Sequence, residues 1–238
     1  MTAPLWDLRL GKWQTALADI GEVDCVITDP PYSERTHAGA RGSDRDGAKQ
    51  VARAIVDFDS ITTDALRDAF GAMRFRRWLV SFMDYTMVPW MEENPPAGMR
   101  GVRMGIWVKP NGAPQFTGDR PGQGWEAVWI AHRLGPDGEK PQMRWNGGGS
   151  HAVWTQAIER SEVSGHPTAK PLPLVKRLIE LFTDEGETIL DPFGGSGTTA
   201  VACRDLGRKC ILIERDEKWC AVAKRRLAQN LLPLGGAA

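Results

Sequence analysis

Short runs of apolar residues recur along the chain and alternate with segments of helical spacing, which predicts alternating strands and helices. Most of these runs end at a proline, a glycine or an acid, and proline stops a β-ladder because it has no N–H donor. The predicted strands cover residues 6–10, 23–27, 78–82, 102–108, 125–132, 188–190 and 210–213. The predicted helices cover residues 13–20, 63–72, 83–91, 172–182, 196–206 and 217–229, with Thr63 or Asp64 expected to cap the second.

Strands that alternate with helices are typical of an α/β domain whose central sheet is mostly parallel and is covered by helices on both faces. We therefore predict one domain over residues 1–238. Residues 33–56 are rich in Gly, Ser, Arg and Asp and have few apolar anchors, which predicts a mobile loop. Residues 134–165 are rich in glycine and predict a second irregular region, inserted in the domain.

Composition excludes several classes of protein. The hydrophobic share of 42% and charged share of 25% are those of an ordinary globular protein, and no apolar run is long enough to span a bilayer. The four cysteines form no C-x-x-C pair and the four histidines are scattered, so neither a metal site nor a disulfide framework is expected. These features predict a soluble cytoplasmic protein without a metal.

The first candidate site follows the apolar run 23–27, where Asp29, Pro30, Pro31 and Tyr32 end the strand abruptly. In a parallel α/β sheet, ligands bind just beyond the carboxyl ends of the strands. The Asp29 carboxylate and the Pro30 carbonyl can accept hydrogen bonds from an amino group, and Tyr32 offers a flat ring for a nucleobase. Alternatively, the same residues form an ordinary turn at the end of a strand.

The second candidate site lies near the carboxyl end of the chain, where a strand, a glycine-rich turn, a helix and a further strand end at Glu214. The spacing Gly195-x-Gly197-x-x-Ala200 matches a dinucleotide fingerprint, so a nicotinamide-dependent oxidoreductase is one interpretation. However, Asp191 stands where it would repel a pyrophosphate. A cationic ligand with a ribose, such as S-adenosylmethionine, suits both acids.

Three motifs occur in a fixed order: Asp-Pro-Pro-Tyr at 29–32, His-Pro-Thr-x-Lys-Pro at 166–171 and Asp-Pro-Phe-x-Gly-Ser-Gly-Thr-Thr at 191–199. Together they resemble the beta class of S-adenosylmethionine-dependent DNA amino-methyltransferases, in which the catalytic motif precedes the cofactor motif. The resemblance covers most of the chain and is weakest in its middle. It implies a Rossmann-like methyltransferase domain with a circularly permuted motif order, and it makes residues 134–165 the expected target-recognition region.

The resemblance also implies roles for individual residues. The residues that match the catalytic motif are Asp29, Pro30, Pro31 and Tyr32. The residues that match positions around S-adenosylmethionine are Asp29, Thr168, Lys170, Asp191, Phe193, Gly195, Ser196, Gly197, Thr198 and Glu214. One departure concerns the amino-terminal segment: family members commonly have Gly-Asp, with the acid facing the cofactor's adenine, where this chain has Gly11 and Lys12. Trp13 could stack on the adenine instead, or open a helix as a core residue.

The activity implied is methylation of adenine N6 in double-stranded DNA, with the target base flipped out of the stack, by an orphan or restriction-modification enzyme of a bacterium or phage. An aspartate at the head of the motif favours adenine over cytosine N4, which stays the alternative. The family is often dimeric, so a homodimer is expected. Less favoured alternatives are the oxidoreductase and an inactive DNA-binding protein of the same fold.

Candidate DNA contacts come from cations and aromatic residues in irregular segments. Arg41, Arg45, Lys49 and Arg53 recur every fourth residue, so a helix formed on contact with DNA would carry one basic stripe for phosphates. Arg144 and Trp145 combine a cation with a stacking ring, which suits phosphate and base contacts. Alternatively, the basic segment is a solvated loop and the tryptophan anchors its loop to the core.

Overall fold

The computed structural model describes residues 5–31, 60–112, 114–115, 118–139, 143–159 and 169–229, and the strands in this part of the chain form one sheet. The strands are Trp6–Leu10 (β1), Cys25–Thr28 (β2), Trp78–Met83 (β3), Met99–Val108 (β4), Trp125–Arg133 (β5), Val153–Thr155 (β6), Thr188–Asp191 (β7) and Lys209–Glu214 (β8). The helices are Trp13–Ala16 (α1), Thr63–Ala72 (α2), Val88–Glu93 (α3), Leu172–Phe182 (α4), Thr198–Asp205 (α5) and Glu217–Ala228 (α6).

The sheet has the strand order β1, β8, β7, β2, β3, β5, β4 and β6. β5 runs antiparallel to β3 and β4, whereas the other neighbouring strands are parallel. From β7 the chain continues outward to β8 on one side, and from β2 it continues outward to β3 on the other. The crevice at the carboxyl ends of β7 and β2 is therefore the point where the strand order reverses, which is where ligands bind in such sheets.

The two faces of the sheet bury separate apolar clusters. β3 shows the division, because Trp78, Val80 and Phe82 pack with α4, α5 and α6, while Leu79 and Met83 pack with α2 and α3. Each fully buried side chain of this size contributes about 1.5–3 kcal/mol relative to exposure. The predicted fold class, a mostly parallel sheet with helices on both faces, is confirmed.

Most predicted elements are present with shifted ends. The helix predicted over 83–91 begins at Val88, because Met83 completes β3 and Asp84 closes a turn by accepting bonds from the backbone N–H and the hydroxyl of Thr86. The helix predicted over 13–20 has only one turn. Thr62, not Thr63 or Asp64, caps α2 by accepting a bond from the Ala65 N–H.

Two further differences bear on the site. The helix predicted from Ser196 begins at Thr198, because Gly197 has a φ of 83°, which a helix interior cannot hold. β6 falls within the predicted target-recognition region and was not predicted as a strand. It pairs with β4 and forms the edge of the sheet, and Trp154 of β6 packs into the core, so part of this region completes the sheet.

All four cysteines are free, and three of them are buried. None of the helices in the described ranges has the length and hydropathy needed to cross a bilayer.

Candidate active site

A cavity of about 740 Å³ lies at the carboxyl ends of β7 and β2. Residues of all three predicted motifs line it. The predicted site residues that line it are Asp29, Pro30, Pro31, Lys170, Asp191, Phe193, Gly195, Ser196, Thr198 and Glu214. Gly197 lies in the turn behind them, and Tyr32 and Thr168 lie outside the described residues. The fold thus brings together segments that are about 160 residues apart in the sequence, because β2 and β7 are neighbours in the sheet.

Asp29 follows β2 directly, and its two carboxylate oxygens have different surroundings. Oδ2 accepts a hydrogen bond from Lys170 Nζ at 2.6 Å. Oδ1 is buried, and no donor in the described part of the chain lies within hydrogen-bonding distance of it. Burial raises the pKa of Asp29, and the adjacent Lys170 opposes that shift. A buried oxygen without a hydrogen-bond donor destabilises the folded protein by about 1–3 kcal/mol. The presence of such an oxygen in Asp29 therefore points to a role in binding or chemistry.

Lys170 belongs to a group of four alternating charges. Its ammonium lies 2.6 Å from Asp29 and 3.4 Å from Glu126 Oε2, while Lys109 forms an ion pair with the other Glu126 oxygen. Burial acts to lower the pKa of Lys170, but the two carboxylates outweigh it and the pKa is raised. Sequence reasoning missed Lys109 and Glu126. They reach this edge because β5 is antiparallel, so that its first residues lie beside the end of β4.

Asp191 ends β7 and links the two motifs. Its Oδ1 accepts bonds from Thr28 Oγ1 at 2.7 Å and from the Phe193 N–H at 3.1 Å. Burial raises the pKa of Asp191 to about 6, and the bonds from Thr28, Thr199 and Phe193 work against that rise. The carboxylate is therefore mostly charged at neutral pH and adds a negative wall to the cavity.

The glycine turn after β7 is shaped by close packing. A Cβ on Gly194 would lie 2.4 Å from the Leu212 side chain, and one on Gly197 would lie 2.8 Å from Ala223 Cβ. Glycine is needed at 197 for a second reason, the left-handed backbone with φ of 83°. The turn can therefore lie against β8 and α6, which leaves its other side to the cavity.

Glu214 at the end of β8 holds this turn from across the cavity. Its Oε2 accepts a bond from the Gly195 N–H at 2.6 Å, and its Oε1 accepts one from the Asp216 N–H at 2.7 Å. Burial raises the pKa of Glu214, and these two backbone donors oppose the rise. Each oxygen has a second lone pair, so the carboxylate can accept further bonds from a ligand.

The amino-terminal segment borders the same cavity. The Gly11 N–H donates to the Glu214 carbonyl at 2.9 Å, and Lys12 and Trp13 line the wall that follows. Trp13 is half-buried and packs on the apolar cluster that also contacts Phe193. Trp13 thus both packs on the core and lines the cavity. Its stacking on an adenine stays a prediction.

Arg226 of α6 supports the glycine turn from behind and was missed from the sequence. Its Nη1 donates to the Ser196 carbonyl at 2.8 Å, to Ser196 Oγ at 3.0 Å and to Thr198 Oγ1 at 3.2 Å. Burial lowers the pKa of Arg226. The i, i+4 and i+8 spacing of Trp219, Ala223 and Leu227 marks the buried face of α6, and the position of Arg226 beside this face is the signal that could have indicated its role.

Replacing Arg226 by methionine should destabilise the protein, because the buried Ser196 carbonyl loses its charged donor. We expect the free energy of unfolding to fall by about 1–3 kcal/mol, measured by urea denaturation. Arg225→Met, at the exposed neighbouring position on the same helix, is the control and should change little. Equal midpoints for the two variants would show that Arg226 does not hold the turn.

Of the predicted DNA contacts, Arg144 and Trp145 are among the described residues, and they do not line the cavity. Arg41, Arg45, Lys49 and Arg53 lie outside the described residues. Arg144 lies near the amino-terminal end of β3, where its carbonyl accepts a bond from the Trp78 indole N–H, whereas the cavity lies at the carboxyl ends of the strands. The Trp145 ring packs on Phe182, with ring centroids 4.9 Å apart. The tryptophan ring thus packs on the core, and contact of Arg144 and Trp145 with DNA stays a prediction.

Over the described ranges, no group of three or more His, Cys, Asp or Glu side chains is placed to hold a metal ion. The acids of the cavity instead have amino, hydroxyl or backbone N–H donors as partners.

A Rossmann-like sheet with an Asp-Pro-Pro strand end beside a glycine turn and an acid at the next strand end defines the methyltransferase class of α/β proteins. A family model described as DNA methylase matches residues 23–225. The chain therefore belongs to the DNA methylase family.

Individual relatives match parts of the chain. The type II methyltransferase M2.DpnII of Streptococcus pneumoniae is 43% identical over 82 residues, which are 33% of this chain and 31% of the relative. The type II methyltransferase M.SmaI of Serratia marcescens is 30% identical over 137 residues, which are 52% of this chain and 45% of the relative. Each match thus spans less than half of the relative's own length.

Solved structures match over nearly the whole chain. The M1.HpyAVI–SAM complex has a TM-score of 0.70 at 23% identity and covers 94% of this chain and 100% of that chain. The PvuII DNA methyltransferase, described as cytosine-N4-specific, has a TM-score of 0.68 at 15% identity and covers 96% of this chain and 90% of that chain. At these identities the two structures support the fold.

Proposed function

We propose that the protein is a DNA amino-methyltransferase that transfers a methyl group from S-adenosylmethionine to N6 of a flipped adenine in double-stranded DNA. The observation that carries the proposal is Asp29, whose Oδ2 is held by Lys170 while the buried Oδ1 has no donor among the described residues. An exocyclic amino group supplies the hydrogen that this oxygen lacks. Membership of the DNA methylase family supports the same reading.

The cavity residues fit S-adenosylmethionine better than a dinucleotide. Asp191 and Glu214 put negative charge at two adjacent strand ends, which attracts a sulfonium and an ammonium and repels a pyrophosphate. Glu214 can still accept bonds from ribose hydroxyls, and Asp191 is kept charged by Thr28 and the Phe193 N–H. The glycine turn, packed against Leu212 and Ala223, leaves room for a ligand over its open side. The oxidoreductase is therefore disfavoured.

The chemistry required of the chain is to make an aryl amine nucleophilic. S-adenosylmethionine supplies an electrophilic methyl group when it is bound. Asp29 Oδ1 and the Pro30 carbonyl accept the two amino hydrogens and orient the nitrogen lone pair, and the Asp29 charge stabilises the positive charge that develops on nitrogen. Because burial raises the pKa of Asp29, its carboxylate is also a suitable acceptor for the proton that the nitrogen releases. Tyr32 is proposed to stack on the flipped base.

Analysis of the methylated product tests this proposal. Unmethylated duplex DNA incubated with the protein and S-adenosylmethionine should yield N6-methyladenine on nucleoside mass spectrometry, and long-read sequencing should place it in one sequence context. N4-methylcytosine would establish the cytosine alternative, which the PvuII-like fold permits. A protein that binds DNA and methylates neither base is the inactive DNA-binding alternative.

The remaining parts of the proposal concern partners and location. Double-stranded DNA is the proposed substrate, and a homodimer in the cytoplasm of a bacterium or infected cell is proposed from the family resemblance. The relatives named as type II methyltransferases support a role in restriction-modification. The basic stripe from Arg41 to Arg53 stays the proposed phosphate contact, and residues 134–165 stay the proposed recognition region.

A further inference from the structure

Four charged side chains from separate segments form an alternating row beside the proposed base site. Lys109 follows β4, Glu126 lies near the start of β5, Lys170 precedes α4, and Asp29 follows β2. Lys109 pairs with one oxygen of Glu126, and Lys170 lies 3.4 Å from the other. Lys170 also lies 2.6 Å from Asp29 Oδ2. All four residues line the cavity.

We propose that Glu126, held in place by Lys109, is a positioning residue that shares Lys170 with Asp29 and thereby leaves the Asp29 carboxylate only partly neutralised for methyl transfer. This inference rests on the proposed function. It adds two residues, Glu126 and Lys109, which lie outside the three sequence motifs. Neither needs to touch the base, because both act through Lys170.

The geometry favours sharing over a simple pair. Lys170 is almost fully buried, and its ammonium also lies 5.0 Å from the centre of the Phe82 ring, a contact that helps to hold the ammonium between the two carboxylates. If Lys170 were paired with Asp29 alone, its whole positive charge would act on Asp29. The Asp29 carboxylate would then be a weaker hydrogen-bond acceptor for an amino group. Glu126 draws part of that charge away. Lys109 in turn balances Glu126, so the row is neutral and avoids the cost of an uncompensated buried charge.

The charged groups that face Asp29 act on its ionisation with known signs. Burial raises the pKa of Asp29, Lys170 lowers it, Glu126 raises it and Lys109 lowers it. Asp191 faces Asp29 from β7, and the two carboxylates oppose each other's ionisation. Removing the Glu126 charge should therefore lower the pKa of Asp29, and removing the Lys109 charge should raise it. Removing both should bring it back toward the parent value.

The experiment compares the parent, Glu126→Gln, Lys109→Met and the double variant, each first checked for folding by circular dichroism. Carboxyl ¹³C NMR of aspartate-labelled protein without ligand reads the pKa of Asp29 directly, and Asp29→Asn assigns its signal. The same four proteins are assayed for single-turnover methyl transfer against pH, at saturating S-adenosylmethionine and DNA. Glu180→Gln, which removes an exposed acid paired with Arg177 on α4, is the matched control.

The expected result is a shift of the Asp29 pKa in opposite directions in the two single variants, with recovery in the double variant. The acidic limb of the rate profile should move with it. At neutral pH, Glu126→Gln should lower the rate by about tenfold, the equivalent of one pKa unit, and the double variant should regain most of that loss. Glu180→Gln should match the parent in both readouts.

Three outcomes would overturn the inference. The first is an Asp29 pKa that is the same in all four proteins. The second is a shifted pKa with unchanged rates, which would make the row structural only. The third is an acidic limb of the rate profile that stays near pH 6 in every variant, because that limb would then report the ionisation of Asp191 and not that of Asp29. A parent protein that methylates no DNA would instead overturn the proposed function, and this inference with it.

Discussion

Asp29→Ala should lower the single-turnover rate of methyl transfer by two or more decades while leaving a folded protein that still binds DNA. The carboxylate opposes the positive charge that forms on nitrogen, an interaction stronger in the transition state than in the ground state, and loss of one such stabiliser costs about 10²–10³ in rate. Radiolabelled methyl transfer to duplex DNA, with DNA affinity measured in parallel, separates this effect from weakened binding.

Folding should survive because the substitution leaves no new buried charge unpaired. Lys170 keeps Glu126 as a partner at 3.4 Å, and the donor-less Oδ1 of Asp29 is removed together with its desolvation cost. Asp29→Asn separates charge from shape, because it keeps an acceptor oxygen and loses the negative charge. We expect Asp29→Asn to lose as much of the methyl-transfer rate as Asp29→Ala, because the negative charge, and not the shape of the side chain, stabilises the developing cation.

Asp84→Asn is the matched control for this prediction. Asp84 follows the neighbouring strand β3 as Asp29 follows β2, but its Oδ1 accepts bonds from Thr86 within a local turn. The amide oxygen of asparagine can keep those bonds, so methyl transfer should persist. An Asp29→Asn variant that methylates as fast as Asp84→Asn would contradict the electrostatic role of Asp29.

The parts of the site that sequence could predict are those coded by consecutive residues. The runs before Asp29 and Asp191 are apolar and end at Asp-Pro, so both strand ends and their acids were located correctly. The glycine turn and Glu214 were found for the same reason, because spacing along one strand–turn–helix–strand unit fixes their positions. The prediction that failed nearby, a helix from Ser196, failed because glycine at 197 takes the left-handed conformation.

Residues that depend on strand direction or on packing between elements were not predictable in this way. Glu126 lies in the cavity because β5 is antiparallel, and a hydrophobic pattern does not report direction. Arg226 reaches the glycine turn only because α6 packs against it. Trp145 shows a second limit, because a tryptophan beside cations in a loop suits both base stacking and anchoring, and the structure shows the contact of its ring with Phe182. Local composition did not separate the two roles.

Glu214→Ala should weaken S-adenosylmethionine binding by about 2 kcal/mol, or about thirtyfold in Kd. Two losses contribute, because the carboxylate both accepts the Gly195 N–H at 2.6 Å and offers free lone pairs to the ribose. Calorimetry with the cofactor product S-adenosylhomocysteine gives the affinity without turnover. Glu217→Ala, an exposed acid in the first turn of α6, is the control and should bind like the parent.

Deoxyribose analogues of the same ligand separate the ribose contact from the support of the turn. In the parent, removal of a ribose hydroxyl should weaken binding, because Glu214 loses a donor; in Glu214→Ala the same removal should cost almost nothing more, since the acceptor is already gone. If the hydroxyl is worth as much in Glu214→Ala as in the parent, Glu214 only supports the glycine turn and the ribose is held elsewhere. The negative wall formed by Asp191 and Glu214 should exclude a pyrophosphate from this cavity. Tighter binding of a nicotinamide dinucleotide than of S-adenosylhomocysteine would therefore contradict the assignment of the cavity to S-adenosylmethionine.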